Sequence, residues 1–170
     1  MKKIKIILGI ISFFVGVFFL TGLFVKKTNY TTQVSVNKSI TDVFETFTNL
    51  ANRKNWIPEV NTYEFVNENP GKVGSVYKLT VLNQGQEITI TEKVMAFIKN
   101  KKFTVFYAAQ NMLKRDDYIF EEKEGSTQIT LNSSCQSDSY IMACLFPYFK
   151  GKFQEQDQLH LNNFKIYLEK

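Results

Sequence analysis

Between Asn61 and Gln136 the chain passes through six successive stretches of alternating polar and apolar residues, and this pattern narrows the fold more than any other feature. A period of two sends successive side chains to opposite faces, so each stretch reads as a strand with one buried face. The stretches are residues 62–67, 75–82, 87–98, 103–108, 114–122 and 127–136. Asn69-Pro70-Gly71, Asn83-Gln84-Gly85, Lys99-Asn100-Lys101 and Glu124-Gly125-Ser126 lie between them and supply the residue types that tight turns need. Connections this short join neighbouring strands antiparallel, so the sheet is expected to be a meander.

Helical spacing brackets the meander. After a polar link at residues 26–30, Thr32, Val34 and Val36 read as an opening strand. Ser39 then stands where a helix N-cap belongs, and Asp42 is placed to reach back to it. Ile40, Val43, Phe44, Phe47, Leu50 and Ala51 share one face of that helix, polar residues 52–55 end it, and Trp56-Ile57-Pro58 closes the segment. From Asp138 onward Leu145, Phe149, Phe153, His160, Phe164 and Tyr167 or Leu168 form a stripe along a long final helix. Pro147 is expected in its first turn or at a kink.

The formal charge of +5 arises at the N-terminus, where Lys2, Lys3, Lys5, Lys26 and Lys27 meet no acid; beyond residue 27 there are sixteen residues of each sign. That even balance leaves no basic footprint for a nucleic acid. Residues 6–25 are instead uncharged and mostly apolar, long enough as a helix to cross a hydrocarbon core of about 30 Å. No run of small residues follows as a cleavage site, so the segment reads as an anchor in preference to a cleaved signal. The expected organisation is an anchor at residues 1–27 and one domain at 28–170, single-pass in the membrane, with an extracytoplasmic domain the favoured topology. Cys135 and Cys144 read as unpaired thiols, and nothing in the sequence specifies an oligomeric state.

The order strand, helix, Trp-containing link, six-strand meander and long final helix resembles the START-like superfamily, also called Bet v 1-like or the polyketide cyclase/dehydrase and lipid transport group. Val34-Ser35-Val36-Asn37-Lys38-Ser39 leading to Val43-Phe44, then Trp56-Ile57-Pro58-Glu59-Val60, carry the likeness at the start. Gly71-Lys72-Val73-Gly74-Ser75 resembles the family's turn into a central strand, Glu124-Gly125-Ser126-Thr127 its later turn, and Asn163-Phe164-Lys165-Ile166-Tyr167-Leu168-Glu169 its closing helix. Asn37-Lys38-Ser39 departs from the Ala-Pro found in many members. The resemblance implies an α+β helix-grip fold, in which a seven-stranded curved antiparallel sheet wraps the C-terminal helix around a cavity, and a function in binding lipids, sterols, quinones or polyketides.

The resemblance places Trp56 in the link beneath the cavity mouth, and strand parity and the final stripe nominate Tyr77, Leu79, Ile90, Tyr118, Phe120, Leu131, Phe149, Phe153, His160 and Phe164 with it as cavity-lining residues. Glu92, Lys114 and Asp116 share the inward parity, but charges are costly to bury, so they are expected near strand ends or a bulge, in solvent. His160 is the sole histidine and the cysteines lack zinc spacing, so no metal site, cofactor or nucleophilic triad is expected. The expected function is a membrane-tethered carrier for a hydrophobic molecule, with a polyketide cyclase or dehydratase as the alternative.

Overall fold

The computed structural model describes residues 2–83 and 85–170. The turn expected at Asn83-Gln84-Gly85 therefore falls partly outside the described residues. The chain forms α1 (Lys2–Phe24), β1 (Thr28–Val36), α2 (Ile40–Thr48), a 3-10 turn (Leu50–Asn55), β2 (Val60–Asn67), β3 (Val76–Asn83), β4 (Gln86–Ile98), β5 (Lys102–Ala109), β6 (Met112–Lys123), β7 (Ser126–Gln136) and α3 (Tyr140–Glu169). The seven strands make one antiparallel sheet in the order β1-β7-β6-β5-β4-β3-β2, so the meander is followed throughout and β1 adds to its last strand.

β1 begins at Thr28, earlier than the sequence reading placed it, because Thr28 and Tyr30 continue the inward alternation of Thr32, Val34 and Val36. Ser39 caps α2 as expected: its Oγ accepts from the Asp42 N–H at 3.2 Å and donates to Asp42 Oδ2 at 2.8 Å. α2 stops at Thr48, short of Leu50 and Ala51. Asn49 leaves the helical region and its side chain caps a new 3-10 turn by accepting from the Ala51 N–H at 3.1 Å. The turn between β6 and β7 places both Glu124 (φ 50°) and Gly125 (φ 79°) in the left-handed region, as a two-residue hairpin turn requires.

α2, the 3-10 turn and α3 cover one face of the sheet. Phe44, Phe47, Trp56, Phe103, Tyr118, Phe120, Leu131, Leu161 and Phe164 meet there in the main core. A smaller core of Tyr30, Cys135 and Phe146, flanked by Met112, Met142 and Phe153, lies beneath the start of α3. The inward line on α3 is Phe146, Phe153, Asp157, Leu161 and Phe164, not the one through Leu145 and Phe149. Phe149 is corrected from cavity wall to surface, 48% exposed. Both lines have helical spacing in the first half of α3; the one in phase with Leu161 and Phe164 faces the sheet. Pro147 lies beyond the first turn, inside α3, where it cannot donate to the Ala143 carbonyl. α1 carries no buried residue and touches the domain through its last turns, which pack on the start of α3.

Candidate functional site

Strand register arranges the inner face in rows that grade from apolar to charged. Phe120, Ile129 and Val34 form one row; Phe103, Tyr118, Leu131 and Thr32 the next; Val94, Val105, Asp116, Ser133 and Tyr30 a third. The fourth runs across six strands as Tyr77, Glu92, Tyr107, Lys114, Cys135 and Thr28. A register shift in β4 between Val94 and Ala96 keeps Glu92, Val94 and Phe97 all on the inner side. Three charged residues, Glu92, Lys114 and Asp116, are thereby delivered to the interior by backbone geometry alone.

The expectation that Glu92, Lys114 and Asp116 meet solvent is overturned. Glu92 is fully buried and paired with Arg53, itself only 2% exposed. Arg53 comes from the 3-10 turn, in the polar stretch read from sequence as the end of the helix. The break at Asn49 rotates the following residues and sends Arg53 inward. Its Nη1 also donates to the Tyr63 hydroxyl at 3.4 Å, and the guanidinium carbon lies 5.6 Å from the centre of the Tyr63 ring. Burial works against the charge on Arg53, but Glu92 together with the hydroxyls of Tyr107, Tyr63 and Tyr118 outweighs it and holds the guanidinium protonated. Burial likewise lifts the Tyr63 and Tyr107 hydroxyls well above the ordinary tyrosine value, so both remain donors. Arg53 Nε and Glu92 Oε1 are buried without a hydrogen-bond partner among the described residues.

A second cluster lies two strands away. Lys114 Nζ donates to Asp116 Oδ2 at 2.9 Å and to both carboxylate oxygens of Asp157, from α3, at 2.8 Å. Ser133 donates to Asp116 at 2.6 Å and Tyr30 to Asp157 at 2.7 Å, so both acids are hydrogen-bonded from either side. Burial opposes the Lys114 charge, and Asp116 and Asp157 overcome it, keeping the ammonium well above the usual lysine value. Burial raises Asp116 from its ordinary value, against the pull of Lys114. The neighbouring Cys135 thiol is pushed by burial to about 11, which makes it a poor nucleophile at neutral pH.

Of the residues nominated from sequence, Trp56, Tyr77, Tyr118, Phe120, Leu131 and Phe164 are brought together in the main core. Leu79 is buried and Ile90 half-buried on the β3–β4 pair. Phe153 packs on Phe146 in the smaller core, with ring centres 5.4 Å apart. His160 faces outward from both ion clusters: its Nε2 lies 3.1 Å from Glu59 and 2.9 Å from the Gln156 amide. Trp56 stacks on Phe47 at 4.9 Å and meets Phe164 edge-on at 5.3 Å, but its indole N–H is unpartnered. Trp56→Ala is expected to cost about 3 kcal/mol in urea unfolding, at the low end for a large core aromatic, because the orphan N–H leaves with the ring. Among the described residues no group of acids, cysteines or histidine could hold a metal ion.

Hollows of about 550 and 230 Å³ are present, and neither lies between the sheet and α3. The larger is lined mainly by outward-facing strand residues, among them Phe106, Arg115, Asn132 and Ser134, with Tyr30 and Ser133 also on its wall. The smaller opens between the 3-10 turn and β2, lined by Leu50, Ala51, Lys54, Val60 and Tyr63. Tyr63 connects it to the interior, since the same residue bonds Arg53.

No protein-family model and no curated protein matches the sequence. Solved structures match its fold. The Zhui aromatase/cyclase from Streptomyces sp. R1128 is 14% identical, with a TM-score of 0.72 over 84% of this chain and 94% of that one. TTHA0849 from Thermus thermophilus is 12% identical, with a TM-score of 0.69 over 82% and 96%. Ara h 8.0201 is 12% identical, with a TM-score of 0.67 over 84% and 97%. The chain has the START-like, Bet v 1-like helix-grip fold. At these identities the likeness concerns the fold alone. Within the helix-grip interior, this chain sets aromatic packing at one end and two ion clusters at the other.

Proposed function

We propose that the protein is a membrane-tethered binding domain for a hydrophobic molecule that carries one polar group, with the polar group taken up beside Arg53 and Glu92. The observation that carries this reading is the pair of unpartnered atoms, Arg53 Nε and Glu92 Oε1, buried beside Tyr63 and Tyr107. Together they offer one donor and one acceptor, the complement of a protonated carboxyl or a hydroxyl, each of which both accepts and donates. Entry runs by way of Tyr63, at the hollow between the 3-10 turn and β2, and the ligand makes its room by displacing side chains there. Residues 1–27 act as the anchor and 28–170 as the binding domain; α1 is long and apolar enough to cross a bilayer and is unburied along its length. Tethering keeps the domain at a surface where lipid-soluble molecules are concentrated.

Two measurements test this. The full chain should stay in the membrane fraction through carbonate washing and begin at its original N-terminus, and a shortened chain in the soluble fraction would overturn the tether. In detergent, the full chain should bind a fluorescent fatty-acid analogue saturably and release it unchanged. Failure to bind would overturn the ligand reading. A chemically altered product would favour the second reading, a cyclase or dehydratase. That reading draws on Asp116, an interior acid that burial raises from its ordinary value, the direction a general acid needs.

A further inference from the structure

We infer that the first turns of α3, from Tyr140 to Phe149, are seated in the lipid interface beside α1, so that the domain rests directly on the bilayer at that end. This inference rests on the tethered reading above. Between Asp138 and Lys150 the chain carries no charge. Ile141 and Tyr148 are 59% and 60% exposed, and Phe149 points outward with them. A helix on the surface of a water-facing domain turns polar residues outward, and this stretch turns out apolar and aromatic ones.

The contacts with α1 identify the occupant. The Tyr148 ring stacks on Phe18 and the Tyr140 ring on Phe19, each with centres 6.2 Å apart. Tyr148 and Thr21 share a hydrogen bond of 3.0 Å, and the Tyr140 hydroxyl donates to the Phe19 carbonyl. Gly22 permits this approach: a Cβ there would stand 2.4 Å from the Cys144 sulfur. Phe18 to Gly22 lie inside the apolar run, four to eight positions before Lys26, or about 6–12 Å along the helix. The start of α3 is therefore held at the depth of α1's last apolar turns, and lipid that covers those turns covers the adjoining face of α3. Lys27 and Lys150 border one hollow, which sets cations just past this level. Aromatic residues with lysines beyond them form the layering that interfaces favour.

The test places an indole at single positions of the full chain, reconstituted in phosphatidylcholine vesicles with or without brominated acyl chains, and reads emission relative to wild type. Phe149→Trp and Ile141→Trp should each give blue-shifted emission that brominated lipid quenches, as Phe13→Trp in mid-α1 should. Leu159→Trp, exposed farther along α3, should stay red-shifted and unquenched. Quenching of Phe13→Trp without quenching of the two α3 variants would overturn the seating and leave the tether standing. No quenching at any position would remove both. Blue-shifted but unquenched α3 indoles, with self-association in sedimentation, would mean that a second copy covers this face, and quenching of Leu159→Trp to the same extent would mean that the contact is not local; either result overturns the inference.

Discussion

Lys114→Met should destabilise the protein by about 3–5 kcal/mol at neutral pH, measured by urea unfolding, and the loss should shrink as the pH is lowered toward the ordinary carboxylate range. Lys114 is only 14% exposed and is the one cation bonded to both Asp116 and Asp157. Without it, two buried carboxylates face each other with only hydroxyl donors left. Burial already raises Asp116 from its ordinary value while Lys114 pulls it down, so removing the lysine lifts it further. A raised carboxyl value means that the folded state binds more protons than the unfolded one, and stability then rises as pH falls through the raised value toward the ordinary one. In the wild type the lysine contributes the opposite trend at the alkaline end. Its raised value makes its contribution complete below the ordinary lysine range and lost as pH climbs through the folded value. A pH-independent loss in Lys114→Met would show that packing, not charge, dominates at this position.

The elements legible in the sequence were those set by local periodicity. Every strand of the meander lies within a few residues of its expected span and Ser39 caps α2, while the inward parity of Glu92, Lys114 and Asp116 is visible but is set aside for solvent because charges are costly to bury. The partners of those charges were missed because they arrive from distant elements. Arg53 follows a helix break that depends on the side chain of Asn49, and its neighbours Asn52 and Lys54 look like solvent-facing residues. Asp157 did leave a signal: it stands four residues after Phe153 and four before Leu161, in phase with the buried line of α3. An acid in that phase, opposite a strand with an inward lysine, marks a buried pair. Phe149 failed for the converse reason. Its spacing suits a helix face, but α3 has two apolar faces in its first turns, one toward Tyr30 and Cys135 and one toward α1, and periodicity cannot rank them.

The Arg53–Glu92 pair separates a structural role from a recognition role. Arg53→Met leaves a fully buried carboxylate without its cation, and should cost about 3–5 kcal/mol in urea unfolding. Adding Glu92→Leu removes the stranded charge and fills the space with apolar atoms of similar volume, and the double variant should regain most of the lost stability, as buried pairs replaced together commonly do. If the pair serves only the fold, the double variant will bind a fluorescent fatty-acid analogue as well as the wild type does. If Arg53 Nε and Glu92 Oε1 take up the ligand's polar group, affinity should fall at least about tenfold, equivalent to about 1.4 kcal/mol, in a protein that remains folded. The loss should be smaller for an analogue in which a hydrocarbon end replaces the polar group, because that molecule never used the pair. Equal losses for both analogues would trace the effect to repacking of Tyr63 and Tyr107, and unchanged affinity for both would move the recognition of a polar group away from this end of the interior.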